Sequence, residues 1–162
     1  MKSLTMVLAL ALESIMCCPG SSLAQVNPQG RSAKDAAASD VQFIAANIEY
    51  NKGAMFLAQK AVERGRDARV KELANKMVED HSAMLYAMEQ LRAAGAGSNG
   101  NEVNSGNAVN QVQAINSNLA ALKGGGFDTA WVSNMLALQQ AKLTEFTQAK
   151  ETVTNSQLKT AI

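Results

Sequence analysis

The sequence predicts an all-α protein, a bundle of four helices. Its 162 residues are enough for one domain, and the composition, rich in alanine, leucine, glutamine, asparagine and lysine, favours helix. Both prolines, Pro19 and Pro28, lie before residue 30, so the strongest helix breaker is missing downstream. Beyond that point apolar residues recur at steps of three and four, which is the period of a helix with one buried face.

Residues 1–24 are typical of an export signal. A short positively charged start precedes the apolar run Met6–Leu12, and the small residues Ser22 and Ala24 suit cleavage after residue 24. The apolar run is far shorter than the roughly 20 residues that span a bilayer, so no transmembrane segment is expected after cleavage. Both cysteines lie within this signal, which leaves no thiol downstream. We therefore expect a periplasmic or secreted protein with a flexible lead-in at residues 25–38.

The first two helices are predicted at residues 40–64 and 68–94. Ser39 is the expected N-cap of the first helix, Gly65 ends it, and Asp67 is the N-cap of the second. The apolar stripe of the first helix comprises Val41, Ile44, Ile48, Met55, Ala58 and Val62. The polar Asn51 takes the missing place in that stripe, and Gly53 weakens the middle of the helix by about 1 kcal/mol relative to alanine.

Two more helices are predicted at 108–123 and 128–153, after a linker at 95–107 that is rich in glycine, asparagine and serine. Gly124–Gly126 is expected to end the third helix. The stripe of the fourth helix comprises Val132, Met135, Gln139, Leu143 or Lys142, Phe146, Ala149 and Val153. The final "NSQLKTAI" begins a truncated last helix, which completes a bundle domain at 39–162. Because such a short helix would leave part of an apolar face uncovered, we expect a homodimer.

The one histidine of the chain, His81, lies at the centre of the second helix's buried seam. The seam comprises Val70, Ala74, Met77, His81, Met84, Met88 and Leu91, widened by Leu73, Val78 and Leu85. Alignment of the second and fourth helices puts His81 and Gln139 at the same place in each seam, and Asn51 is a third polar residue. We interpret His81 as a neutral spacer, hydrogen-bonded to Gln139, Asn51 or a water, that fixes the helix register. On that interpretation His81→Leu should be neutral or stabilising.

Two functional roles for His81 compete with the spacer. As a pH switch it would become charged near its reference pKa of about 6.5, or lower if buried. As a metal ligand it would act with Met77, Met84 and Met88, which share its helix face, because thioether and imidazole ligands suit Cu(I). A copper- or haem-binding bundle is therefore the alternative function. Methionine is also a common core filler, and we expect packing rather than a cofactor.

Enzymatic chemistry is not expected, and no catalytic residue is assigned. A di-iron site needs two Glu-x-x-His pairs, but Val78 precedes His81 by three residues and there is no second histidine. Ser82 points about 100° away from His81 on a helix, so no Ser-His pair forms locally. A net charge of +1 and 4% aromatic residues exclude the basic, stacking surface typical of nucleic-acid binding.

The segments "FIAANIEYNKGAMFLAQKAV", "VKELANKMVEDHSAM" and "FDTAWVSNMLALQQAKLTEF" resemble a known family of small exported bacterial proteins. The residues that carry the match, over about 40–160, are Phe43, Leu57, Ala61, Val70, Ala74, Met77, Val78, Asp80, His81, Phe127, Asp128, Trp131 and Met135. That family has a ferritin-like helical domain of unknown function and is often labelled outer-membrane or periplasmic. The resemblance implies a ferritin-like four-helix bundle that is exported and resides in the periplasm or at the outer membrane.

The chain departs from the family pattern at its polar positions. Leu138 and Gln139 stand where the family usually repeats Asp-His, and Ala54 stands where it usually has a glutamate. Half of the family's histidine pair is therefore missing, which weighs against a metal site. The expected function is that of a non-enzymatic interaction or envelope-stress protein.

Overall fold

The computed structural model describes residues 33–96 and 106–162, and every element within these ranges is helical. The elements are α1 (Ala33–Arg64), α2 (Ala68–Leu91), a π-helical turn (Arg92–Ala96), α3 (Gly106–Ala120), α4 (Gly124–Thr152) and α5 (Ser156–Ala161). The predicted all-α class is confirmed for these residues. The predicted signal at 1–24 and most of the predicted linker lie outside the described residues.

The four long helices alternate in direction. A short turn reverses the chain between α1 and α2. Trp131 of α4 hydrogen-bonds to Leu57 of α1, and Gln139, further along α4, hydrogen-bonds to Tyr50, which lies earlier in α1. The two helices are therefore antiparallel. None of the helices in the described part of the chain is long and apolar enough to cross a membrane.

The start of α1 differs from the prediction. The helix begins at Ala33, so residues 33–38, expected to belong to a flexible lead-in, are helical, and Ser39 lies within the helix instead of capping it. The physical reason is the alanine-rich sequence just before Ser39, since alanine has the highest helix propensity. The predicted N-cap at Ser39 is therefore wrong.

The turn between α1 and α2 is confirmed. The α1 helix ends at Arg64, and the Asp67 side chain accepts a hydrogen bond of 2.8 Å from the backbone N–H of Arg69. This is the N-cap expected for α2.

Arg64 caps the end of α3. Its guanidinium donates hydrogen bonds to backbone carbonyls at the end of α3 and just beyond it, among them those of Leu119 at 3.1 Å and Leu122 at 2.8 Å. These carbonyls have no partner within the helix.

The predicted glycine stop after α3 is wrong. α3 ends at Ala120, and Gly124–Gly126 form the first turn of α4. Gly124 has φ of 56°, a left-handed conformation that glycine adopts without strain. The glycines thus reverse the chain into α4, while Arg64 caps α3.

Two buried aspartates accept hydrogen bonds from turns at opposite ends of the protein. Asp128 of α4 accepts hydrogen bonds from the backbone N–H groups of Arg66, at 3.0 Å, and Asp67, at 2.8 Å. Asp40 of α1 accepts from the backbone N–H of Thr154, at 3.2 Å, and from its hydroxyl, at 2.8 Å. Each carboxylate therefore ties its helix to a turn distant in sequence.

The buried apolar side chains form two clusters. The upper core contains Tyr50, Ala54, Leu57, Ala58, Ala61, Ala74, Met77, Ile115, Leu119, Phe127, Trp131, Met135 and Leu138. The lower core contains Ile44, Ile48, Met88, Ala149, Val153 and Leu158. Leu158 of α5 is completely buried, so the short last helix covers the lower core. The uncovered end that suggested a homodimer is therefore not observed there.

The buried face of α4 coincides in part with the predicted stripe, since Met135, Ala149 and Val153 are buried. Lys142, rather than Leu143, faces inward, and Leu143 is 68% exposed. Val132 and, on α2, Leu73 are also exposed, contrary to prediction. Trp131 and Leu138, each one residue before a predicted stripe position, are buried instead. Where both adjacent positions are apolar, as at Trp131 and Val132, the sequence pattern is ambiguous by one residue.

α3 packs closely against α1 at Gly53. A Cβ atom at this position would overlap the Val112 side chain of α3. The glycine that the sequence marks as a weak point of α1 therefore makes room for a neighbouring helix.

Candidate functional site

A buried polar layer around His81 separates the two cores. His81, on α2, is only 4% exposed. Its Nδ1 lies 2.7 Å from Oδ1 of Asn51 on α1, and its Nε2 lies 2.8 Å from Nε2 of Gln139 on α4. Both partners expected from the sequence are confirmed. The imidazole thus bridges three helices.

The direction of the hydrogen bonds determines which imidazole nitrogen carries the proton. The Tyr50 hydroxyl donates to Oε1 of Gln139 at 3.0 Å, which leaves the Gln139 amide N–H to face His81. Nε2 of His81 must therefore accept, and Nδ1 must carry the proton that it donates to Asn51. The geometry is that of a neutral imidazole with both nitrogens satisfied.

The network continues along α1 through two asparagines. The Asn51 side-chain amide N–H donates to the backbone carbonyl of Asn47 at 2.7 Å, and the Asn47 side-chain amide N–H donates to the backbone carbonyl of Phe43 at 2.8 Å. Both asparagine side chains are completely buried. Oδ1 of Asn47 has no hydrogen-bond partner among the described residues. A buried acceptor of this kind raises the free energy of the folded state.

Burial keeps the layer uncharged. It lowers the pKa of His81 below its usual value, and the nearby Asp80 carboxylate opposes that shift only in part. Burial also raises the pKa of Tyr50, and the negative charge of Glu145 raises it further. At neutral pH the imidazole and the phenol are therefore both in their neutral forms.

The layer reaches a cleft between α1, α3 and α4 with a volume of about 320 Å³. The residues that line it are Ala46, Tyr50, Asn107, Ala108, Gln111, Leu138, Ala141, Lys142 and Glu145. The ammonium group of Lys142 lies 2.6 Å from Oε2 of Glu145 and 4.5 Å from the centroid of the Tyr50 ring. Tyr50 is thus shared by the cleft and the His81 network. Sequence reasoning missed Tyr50 and Glu145, because the aromatic lies beside the predicted stripe of α1 and the carboxylate beside that of α4.

The aromatic residues of the "FDTAW" segment are part of the upper core. Phe127 and Trp131 are completely buried, and the Trp131 indole N–H donates to the Leu57 carbonyl at 2.9 Å. The Arg64 guanidinium lies 4.6 Å from the centroid of the Phe127 ring. These contacts give the segment a structural role at the end of the protein that carries the α1–α2 turn.

A family model described as Domain of unknown function (DUF4142) matches residues 25–162. The chain belongs to this family. No curated protein and no solved structure matches it. The match includes every residue of the polar layer, so the His81 network lies within the DUF4142 domain.

The predicted soft-metal residues of this DUF4142 chain are divided between environments. Met77 packs in the upper core, Met88 packs in the lower core, and Met84 is half-buried. His81 lies between them with both nitrogens engaged. Within the described residues, no three His, Cys, Asp or Glu side chains are grouped so that they could hold a metal ion.

Proposed function

We propose that this protein is an exported, ferritin-like four-helix bundle that performs no catalysis and acts by associating with another macromolecule. The observation that carries the proposal is the pair of hydrogen bonds on His81, to Asn51 at 2.7 Å and to Gln139 at 2.8 Å. They engage the chain's one imidazole in holding helices together.

The hydrogen bonds weigh against the chemical roles of an imidazole. A general base needs a nitrogen within reach of a substrate proton, and a metal ligand needs a free lone pair. The lone pair on Nε2 of His81 faces the amide N–H of Gln139, and Nδ1 carries a proton that Asn51 accepts. Either chemical role would first have to break a buried hydrogen bond.

Export is supported by the signal-like residues 1–24, and the family match begins at residue 25, directly after the predicted cleavage. The ferritin-like assignment is supported by the alternating directions of α1 to α4 and by the sequence resemblance. These features suit a protein of the periplasm or the outer membrane. The balanced charge favours a partner other than nucleic acid.

Copper binding through His81, Met77, Met84 and Met88 is the alternative, and metal analysis separates it from the proposal. The protein is purified from the periplasm, its metal content is measured, and it is then titrated with Cu(I) beside the His81→Gln variant. We expect no stoichiometric copper in either protein. One copper per chain in the wild type, lost in a variant that keeps its helical circular dichroism, would establish the alternative.

A further inference from the structure

The outer face of α4 carries an apolar seam with no partner in the described part of the chain. Val132, Leu136 and Leu143 are 38%, 58% and 68% exposed. They are four and seven residues apart, which places them on one face of the helix. Such a seam is normally covered by a second helix.

The same face is free of charge. Every exposed side chain of α4 between Thr129 and Gln148 is uncharged, because Lys142 is buried and Glu145 is half-buried. The exposed face of α2, by contrast, carries charged residues such as Glu72. Depletion of charged residues distinguishes the centre of a protein interface from the remaining surface.

We propose that this α4 seam pairs with the α4 seam of a second copy in an antiparallel homodimer. In a two-fold interface, a charged side chain at the axis faces its own copy and is repelled, so a face without charge suits self-pairing. An axis between Gln139 and Gln140 brings Leu136 of each chain opposite Leu143 of the other. The seam is therefore complementary to itself.

The size of the face sets the strength of the dimer. A stretch of about 20 helical residues is about 30 Å long and presents a strip about 10 Å wide, so two copies bury about 600 Å² together. Stable interfaces bury about 1,200–2,000 Å², which places this dimer in the weak, reversible class. The inference rests on the proposed function, association without catalysis, and names a second copy as one partner.

Sedimentation equilibrium, from low micromolar to near-millimolar protein, tests the pairing with two charged variants. Leu136→Lys with Leu143→Lys places like charges opposite each other in the homodimer, and Leu136→Glu with Leu143→Glu does the same with the opposite sign. Both residues are more than half exposed, so the fold should tolerate the changes. Tyr86→Gln, at a 65% exposed position on α2, is the matched control.

We expect a concentration-dependent dimer for the wild type and the Tyr86→Gln control. Each charged variant should dimerise at least tenfold more weakly, and a mixture of the two should recover the dimer. A wild type that stays monomeric throughout, charged variants that dimerise like the wild type, or a mixture that stays monomeric would each overturn the α4 pairing. None of these results would affect the copper test, so failure of the dimer and failure of the proposed function are distinguishable.

Discussion

Replacement of His81 by leucine tests whether its two hydrogen bonds stabilise the fold. The sequence alone suggested a neutral or stabilising effect, but the structure reverses that expectation. Asn51 is completely buried, so its Oδ1 would lose its partner and find no water, whereas Gln139 is half-buried and can turn toward solvent. A buried acceptor without a partner costs about 1–3 kcal/mol, so we expect the free energy of unfolding to fall by about 2 kcal/mol.

The control is a double-mutant cycle with Asn51→Leu. Asn51→Leu alone strands the Nδ1–H of His81, so it should also be destabilising. The double variant removes donor and acceptor together and should recover to within about 1 kcal/mol of the wild type. Urea denaturation followed by far-ultraviolet circular dichroism measures all four proteins. A His81→Leu protein as stable as the wild type, or a double variant with merely additive losses, would refute the reasoning.

Three further predictions concern pH, close packing and a turn. Burial lowers the pKa of His81 from 6.5, so the neutral imidazole contributes its full stabilisation above pH 6.5 and loses it as the pH falls toward the folded-state pKa. The urea concentration at the unfolding midpoint should therefore fall more steeply with decreasing pH for the wild type than for His81→Leu. Gly53→Ala should lower the free energy of unfolding by about 1–3 kcal/mol, because the new Cβ atom overlaps the Val112 side chain. Gly125→Ala, which has open space around it, should be neutral or stabilising in the same urea denaturation experiments. Equal effects of the two substitutions would contradict the close contact at Gly53. Asp128→Ala should lower the free energy of unfolding by about 1–3 kcal/mol, and hydrogen exchange should speed up at the α1–α2 turn, whose N–H groups it binds; unchanged exchange would count against that role.

The His81 network was predictable from the sequence because it lies on helix seams. Asn51, His81 and Gln139 each interrupt an apolar stripe, and a polar residue in a buried stripe needs a partner. The matching register of the second and fourth helices was enough to bring the latter two together. The tautomer was not predictable, since it depends on the Tyr50 hydroxyl, which lies beside the stripe.

The errors have two physical causes. A heptad pattern fixes which side of a helix is apolar but leaves its rotation uncertain, and on α4 Trp131 rather than the predicted Val132 faces the core. Local signals also do not reveal partners that are distant in the chain. The hydrogen bond from Thr154 to Asp40 and the capping of α3 by Arg64 have no local signature, so the sequence predicted neither contact.

Side-chain NMR of His81 tests most directly whether the lone imidazole is an internal, neutral bridge between helices. Nitrogen-15 correlation spectra report the protonation of each ring nitrogen as a function of pH. We predict a neutral ring at neutral pH with the proton on Nδ1, and a pKa below 6.5. A proton on Nε2, or a ring that is charged at neutral pH, would contradict the account.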